Sequence, residues 1–246
     1  MPAVSDSKYL VMAGWDDVPH LDEAWKNQEL AEMPPHLRDA RSKGLPSLGS
    51  GAIYPIAKEE FIVPPFQVPA WFRRGYALDV GWNRTAALFG AHDLDNDVLY
   101  LTAEHYRGQA EPPVHAAAIK ARAQDWMPGF IDPASHGRSQ IDGKALFDLY
   151  LELGLKLSNA INAIEAGILE VWQRLSTGRL KVFSNLINWL AEFEFYRRDE
   201  NGKIVKEADH LMDCTRYLVL AIARMIVKPL PRTGGRVLIG DSVAGY

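Results

Sequence analysis

The stretch from residue 75 to residue 105, GYALDVGWNRTAALFGAHDLDNDVLYLTAEH, decides the fold class. It contains three runs rich in apolar residues, and these runs cover residues 75–81, 85–91 and 98–105. Asn83 and the polar segment 93–97 separate the runs with residues that favour turns. Consecutive strands joined by short turns pair antiparallel. The stretch therefore predicts a three-stranded antiparallel meander.

Downstream of Pro113, helical and strand-like patterns alternate along the chain. Short buried strands are predicted at 129–132, 155–158 and 180–183. Helices are predicted at 114–124, 141–153, 160–175, 185–193 and 208–227. Antiparallel strands followed by this alternation form a mixed sheet covered by helices. The predicted fold class is therefore α/β, with three antiparallel strands, then parallel strands, and flanking helices.

The first 70 residues differ from the rest of the chain. Prolines interrupt them repeatedly, and only residues 22–31 have a helical pattern. A chain of 246 residues that is 48% hydrophobic can bury one main core with an appendage. We therefore predict a linker at 1–70, one ordered domain at 71–228 and a loose glycine-rich tail at 229–246.

Composition argues against several classes of function. A net charge of -4 argues against a strong general electrostatic grip on nucleic acid, so any DNA contact is expected to be local or assisted by partners. The single cysteine, Cys214, rules out an intramolecular disulfide and a cysteine-rich zinc site. No run of about 18 uncharged apolar residues is present, so neither a membrane span nor a membrane partner is predicted, and we expect an intracellular protein.

Three aspartates occupy positions where an acidic side chain is costly. Asp79 interrupts the first apolar run, Asp132 ends the strand at 129–132, and Asp213 lies on the predicted inner face of the last helix. An ionised carboxylate among apolar neighbours costs several kcal/mol unless it is paired or binds a metal. Ligands gather at the carboxyl ends of parallel strands, and the last helix can bring its acid to the same place. We therefore predict that the three acids converge as a site for Mg²⁺ or Mn²⁺.

Two further residues of the last helix belong to the predicted site. His210 lies three residues before Asp213, on a neighbouring position of the helix, and we expect it to contact the metal or a phosphate. Asp209 is either a fourth metal ligand or the N-terminal cap of the helix. Three or four carboxylates suffice for two ions, and two ions can activate water on one side of a phosphodiester and stabilise the leaving oxygen on the other.

Each acid also has a simpler interpretation. Asp79 precedes Gly81, and Asp132 precedes Pro133, so both are typical of turns. Asp213 is harder to explain in this way, because its helix carries apolar residues on several sides.

Three segments of the chain carry a resemblance to a known family. They are ALDVGWNRT at 77–85, IDPAS at 131–135 and DHLMDCTRY at 209–217. Together they resemble the nuclease domain of the large terminase subunit of tailed bacteriophages. This resemblance implies an RNase H-like (RuvC-like) fold and a metal-dependent endonuclease that cuts concatemeric viral double-stranded DNA during genome packaging. It also implies that the metal-binding catalytic acids are Asp79, Asp132 and Asp213, and His210 matches a position that some terminases also use.

The same resemblance implies partners and a location. Segments 12–21 and 49–55 are similar to the region that joins a packaging ATPase to the nuclease. The expected partners are therefore DNA, the ATPase domain of the same polypeptide, the portal protein and the small terminase subunit, in the host cytoplasm. The chain departs from the full family pattern because it contains no Gly-x-x-x-x-Gly-Lys-Ser/Thr phosphate loop, so ATP hydrolysis is not predicted for it.

A basic loop is the predicted contact with DNA. Asn201-Gly202 favours a hairpin between 193–196 and 203–206. The basic residues of this region are Arg197, Arg198, Lys203 and Lys206. Such side chains hold phosphates without reading bases, so cleavage independent of sequence is predicted.

Two other functions stay open. A Holliday-junction resolvase also uses carboxylates and two metals, and it would prefer four-way junctions over linear duplex. A non-catalytic module that docks on the portal would carry the acids for structural reasons and would cleave no DNA with any divalent ion.

Overall fold

The structure is a computed structural model that describes residues 3–5, 8–9, 14–32, 42, 51–137, 145–199 and 202–229. Its helices are α1 (Glu23–Glu32), α2 (Pro112–Lys120), α3 (Leu146–Glu152), α4 (Ile164–Ser176), α5 (Ile187–Phe195) and α6 (His210–Leu220). Its strands are β1 (Ala3–Ser5), β2 (Lys8–Tyr9), β3 (Ile62–Val63), β4 (Arg73–Asp79), β5 (Thr85–Asp93), β6 (Val98–Arg107), β7 (Gly129–Ile131), β8 (Leu157–Asn159) and β9 (Leu180–Phe183). No helix in these ranges is long and apolar enough to cross a membrane.

Strands β3 to β9 form one seven-stranded sheet in the order β3-β9-β6-β5-β4-β7-β8, and β1 and β2 pair separately. β5 pairs antiparallel with β4 on one side and with β6 on the other, so the predicted meander is confirmed. The remaining pairs of this sheet are parallel: β7 pairs with β4 and β8 with β7 on one side, and β9 pairs with β6 and β3 with β9 on the other. The predicted α/β fold with a mixed sheet is therefore confirmed.

The alternation of side chains along the central strands separates two helical layers. On β4, Tyr76 and Leu78 pack with α2 and α3, whereas Ala77 packs on the opposite face with α4, α5 and α6. β5 is buried along its whole length, because helices cover both faces of the sheet. Asp79 lies two residues after Ala77, and its side chain therefore faces the layer that contains α6.

A glycine allows β7 to lie directly against β4. A Cβ atom at Gly129 would lie 2.5 Å from Cζ of Tyr76, so a larger residue there would displace the tyrosine ring. The parallel register that follows pairs Leu78 with Ile131. Asp79 and Asp132 directly follow this pair, so they lie side by side where the two strands end, at the carboxyl edge of the sheet.

Part of the segment predicted as a linker packs onto the main domain. Ile53, Tyr54 and Phe61 are buried in the core, where Tyr54 and Phe61 lie against Phe193 of α5. β3 extends the sheet by parallel pairing with β9. The division of the chain at residues 70 and 228 stays a prediction, and residues 230–246 of the predicted tail lie outside the described part.

The strand predicted at 193–196 is wrong, because α5 continues to Phe195. Trp189 and Phe193 stack at helical spacing with ring centroids 5.2 Å apart, and this packing on the core favours helix over strand. The predicted hairpin is reduced to one antiparallel bridge between Arg198 and Ile204, and residues 200–201 of its turn lie outside the described part.

The last helix is shorter than predicted. α6 ends at Leu220 and is followed by a 3-10 turn at Ile222–Arg224. The chain then becomes extended because Ile226 bonds to the backbone of Arg74 on β4 in both directions, at 2.7 and 3.2 Å. The helix predicted at 141–153 is described only from residue 145, and the other predicted elements are present with ends that differ by a few residues.

Candidate active site

Asp79 ends β4 and faces the first turn of α6. His210 Nδ1 donates a hydrogen bond to Asp79 Oδ2 at 2.7 Å, and the two side chains are 34% and 18% exposed. The hydrogen bond to Asp79 raises the pKa of His210, although burial opposes this rise. One oxygen of Asp79 is therefore held by a protein donor, and among the described residues none donates to the other.

Asp132 follows β7 and caps the next turn. Its Oδ1 accepts a hydrogen bond from the backbone N–H of Ala134 at 3.1 Å, and Ser135 Oγ donates to the Asp132 carbonyl oxygen at 2.6 Å. Pro133 begins this 3-10 turn at a position where a missing N–H has no cost. Asp132 is thus a turn residue, and this role occupies only one of its two carboxylate oxygens.

Asp213 lies between two basic side chains. Arg216 is 1% exposed and donates to Asp213 Oδ1 from Nη2 at 2.7 Å and from Nε at 3.3 Å. Lys206 Nζ approaches the other oxygen, Oδ2, at 3.5 Å. Burial raises the pKa of Asp213, while Arg216 and Lys206 oppose the rise. A buried guanidinium therefore holds one oxygen, and an exposed ammonium neighbours the other.

Asp209 occupies the N-cap position of α6, but its side chain makes no capping hydrogen bond. Its Oδ2 accepts instead from Lys206 Nζ at 2.8 Å, in a contact where the Asp209 side chain is 9% exposed and the Lys206 side chain is 61% exposed. The capping interpretation of Asp209 is therefore wrong for this structure, and its interpretation as a metal ligand stays a prediction.

The cap of α6 comes from a residue that the sequence analysis missed. Glu192 of α5 accepts hydrogen bonds at Oε2 from the backbone N–H groups of Leu211 at 2.6 Å and Met212 at 3.3 Å. Glu192 is 2% exposed. A signal was present, because Glu192 lies between apolar residues of the helix INWLAEFEF at a position that faces the core, as Asp79 lies inside an apolar strand.

Electrostatic interactions link the three predicted acids to one buried phenol. Tyr217 of α6 is 1% exposed. Burial raises the pKa of Tyr217, and the carboxylates of Asp132, Asp213 and Asp79 raise it further. The geometry agrees, because Asp79 and Asp132 follow the paired residues Leu78 and Ile131, and the His210–Asp79 hydrogen bond brings the first turn of α6, with Asp213, to the same edge.

The donor set suits a hard cation, although no complete cage is formed. In the ranges that the structure describes, no three acidic, histidine or cysteine side chains are arranged as ligands of one ion. Each acid nevertheless keeps one oxygen that protein donors leave open or only loosely held, namely Oδ1 of Asp79, Oδ2 of Asp132 and Oδ2 of Asp213. Carboxylate oxygens are the ligands that Mg²⁺ and Mn²⁺ prefer. The side chains are therefore of the type that binds such an ion, provided that the ion displaces the Lys206 ammonium.

The predicted DNA contacts are only partly brought to this site. Lys206 reaches the acids, whereas Arg198 donates to Glu165 Oε2 at 2.7 Å and to the Gly202 carbonyl oxygen at 2.9 Å. Arg197 and Lys203 are exposed. Of this basic loop, Lys206 therefore lies at the acids, and Arg197 and Lys203 have exposed side chains that could contact a polyanion.

The fold is that of an RNase H-like protein. A meander opens its mixed sheet, acids lie at the ends of two adjacent strands, and the helix that crosses them carries a third acid. A family model described as "Terminase RNaseH-like domain" matches residues 77–221. This match covers more than half of the chain, and the chain belongs to that family. The resemblance found in the sequence is thereby confirmed.

Curated relatives and a solved structure agree with this assignment. The chain is 34% identical over 221 residues to the large terminase subunit of Salmonella phage P22, and 35% identical over 210 residues to that of Enterobacteria phage LP7. These alignments cover 85% and 82% of the chain but only 44% of each relative, so the chain spans less than half of their length. The structure of the P22 large terminase nuclease domain matches with a TM-score of 0.68 and 31% identity, over 74% of this chain and 97% of that one.

Proposed function

We propose that this chain is a divalent-metal-dependent endonuclease, which cuts concatemeric viral double-stranded DNA when genome packaging begins and ends. The observation that carries the proposal is the placement of Asp79 and Asp132 side by side at the carboxyl edge of the sheet, with Asp213 on the helix whose first residue, His210, bonds to Asp79. The likeness to the P22 nuclease domain over nearly all of that structure supports the reaction class.

The three acids would hold the metal through their less occupied oxygens. Asp79 and Asp132 would offer Oδ1 and Oδ2 respectively, and Asp213 would offer Oδ2 while Arg216 keeps Oδ1. Asp209 would be a fourth ligand beside them. When bound, one or two Mg²⁺ or Mn²⁺ ions supply the Lewis acidity that activates water and stabilises the leaving oxygen of the phosphodiester.

Lys206 would exchange its acidic partners for DNA. Its ammonium is 61% exposed, and exposed ion pairs contribute only about 0 to 1 kcal/mol, so release from Asp209 and Asp213 costs little. Arg197 and Lys203 of the same loop would contact the DNA backbone without reading bases. His210 stays beside Asp79 and would contact the phosphate that is cut.

The wider role in packaging is also a proposal. It places double-stranded DNA, an ATPase domain of the same polypeptide, the portal protein and the small terminase subunit as partners in the host cytoplasm. The support is that the curated relatives are large terminase subunits more than twice as long as the aligned part.

Plasmid digestion tests the proposal. Supercoiled plasmid would be incubated with the wild-type chain and with Asp132→Asn, in Mn²⁺, Mg²⁺ or EDTA, and Asp125→Asn would serve as a control because Asp125 is an exposed aspartate outside the site. We expect nicking and degradation with the metals only, retained in Asp125→Asn and lost in Asp132→Asn. Full activity of Asp132→Asn, or cleavage that persists in EDTA, would exclude the proposed site.

A further inference from the structure

We propose that Glu192 is a positioning residue for the active site, which fixes the start of α6 relative to the strands that carry the acids. The proposal rests on the proposed function, because its purpose is to place His210 and Asp213 against Asp79. Glu192 belongs to a different helix and touches none of the candidate metal-binding carboxylates.

α6 depends on Glu192 for its N-terminal cap. The first four N–H groups of a helix lack partners within it, and a side chain close to the N-terminus normally accepts from them. Asp209 is the residue in the right place, but Lys206 holds its carboxylate instead. Glu192 accepts from Leu211 and Met212 in its place.

The Glu192 carboxylate that caps α6 is buried. Burial raises the pKa of Glu192, while the Tyr106 hydroxyl and the N–H groups of Leu211 and Met212 favour its charged form. The positive end of the α6 dipole favours the charged form as well. A buried charge is a costly way to cap a helix, but it restricts the orientation of that helix, because both N–H groups bond to Oε2 while the buried Oε1 has no hydrogen-bond partner among the described residues.

Glu192 lies near the part of the sheet that carries Asp79. Tyr106 lies on β6 opposite Ala86 of β5, and Ala86 lies opposite Asp79 of β4. Tyr106 and Asp79 therefore occupy one rung across the sheet. Glu192 bonds to the two residues that follow His210, and its charge acts on Tyr106, so it fixes the start of the helix near the rung that carries Asp79. The result is the 2.7 Å contact between His210 Nδ1 and Asp79 Oδ2.

The chain offers a matched comparison for this role. Glu104 caps α5 by the same chemistry, and its two oxygens accept from the backbone N–H groups of Asn188 and Trp189, each at 2.9 Å. α5 carries Glu192 itself, but stacking of Trp189 on Phe193 and the hydrogen bond from Trp189 Nε1 to Thr215 Oγ1 at 2.8 Å also hold this helix in place. Loss of the Glu104 cap should therefore lower stability while these contacts keep Glu192, and with it the acids, in position.

Three variants test the proposal: Glu192→Ala, Glu192→Gln and Glu104→Ala. For each, thermal unfolding in EDTA measures stability, calorimetric titration with Mn²⁺ measures ion binding, and plasmid nicking measures activity. Changes in residues that orient metal ligands typically cost 10- to 100-fold in affinity or activity. We expect Glu192→Ala to weaken Mn²⁺ binding by about 10-fold or more. Glu192→Gln keeps a carbonyl acceptor and should rescue most of the loss, and Glu104→Ala should bind as wild type despite a lower unfolding temperature.

The outcomes separate this inference from the proposed function. Absence of Mn²⁺ binding by the wild type would overturn the metal-dependent function and, with it, the positioning role. If Glu192→Ala binds Mn²⁺ with the affinity of the wild type at a temperature where both proteins are folded, the positioning role alone would be overturned. An equal loss of binding in Glu192→Ala and Glu104→Ala would also overturn it, because the effect would then be a general loss of stability.

Discussion

Removal of the Lys206 ammonium should tighten the binding of a divalent ion. In the structure this ammonium lies 2.8 Å from Asp209 Oδ2 and 3.5 Å from Asp213 Oδ2, where it neutralises acids that an ion would need. An ion that binds these oxygens must displace it. The variant Lys206→Ala removes the competitor and leaves Arg216 on the other oxygen of Asp213.

The expected size follows from exposure. The Lys206 side chain is 61% exposed, so solvent and salt screen both contacts, and together they contribute no more than about 1 kcal/mol. Competition of that strength lowers the affinity for the ion by up to about fivefold. The same estimate limits the loss of stability in EDTA to a fall of less than about 4 °C in the unfolding temperature.

Calorimetric titration with Mn²⁺ at low ionic strength measures the effect directly. The control is Lys203→Ala, which removes an exposed lysine from the same loop and alters the net charge equally. We expect tighter binding in Lys206→Ala by about two- to fivefold relative to this control. Equal or weaker binding in Lys206→Ala would refute the competition and assign Lys206 to support of the site.

Two further predictions concern charge and stability. Partial burial raises the pKa of Asp97, but hydrogen bonds from His92, Arg174 and Arg179 outweigh this and hold the pKa at about 2. Because the Asp97 side chain is 44% exposed, we discount the shift and expect Asp97→Asn to lose about 1 kcal/mol at pH 7. A depressed pKa stabilises the fold fully above about pH 4, and this stabilisation disappears as the pH falls towards 2. The difference in unfolding free energy between Asp97→Asn and wild type should therefore shrink in acid, and a difference that is constant with pH would contradict the prediction. For His210 the pKa is raised, so the bond to Asp79 stabilises the metal-free fold fully below about pH 6.5 and less as the pH rises through the folded-state pKa. Thermal unfolding of His210→Gln in EDTA should therefore differ most from wild type near pH 6 and least near pH 9, and a difference independent of pH would count against the pair.

The local part of the fold could be predicted from the sequence, and the long-range part could not. The meander depends on neighbouring runs and short turns, which are visible at 75–105. The signal Asn201-Gly202 was equally local, but it failed to define a ladder because Trp189 and Phe193 extend α5 into the predicted strand. The pairing of β3 with β9 joins segments that are distant in the sequence, and no periodicity near residue 62 indicates it.

The candidate site divides in the same way. Asp79, Asp132 and Asp213 were found because an acid in an apolar context needs a physical reason, and the pairing of β4 with β7 and the contact of α6 with Asp79 bring them to the same edge of the sheet. The donors that occupy them could not be predicted, since the contact of Lys206 depends on how the loop folds back onto α6. Glu192 satisfied the same criterion as Asp79, but its partners are backbone groups, and a sequence does not display those.

The division of each carboxylate into a held oxygen and an open one has an entropic consequence. A free aspartate samples several rotamers, and an ion must select one of them. Here Ala134, His210 and Arg216 select the rotamers of the three acids as the chain folds. That conformational freedom is already lost before an ion arrives, so ion binding need not supply the ordering. The slow step in loading the site should then be the departure of one ammonium group and not a search among side-chain conformations.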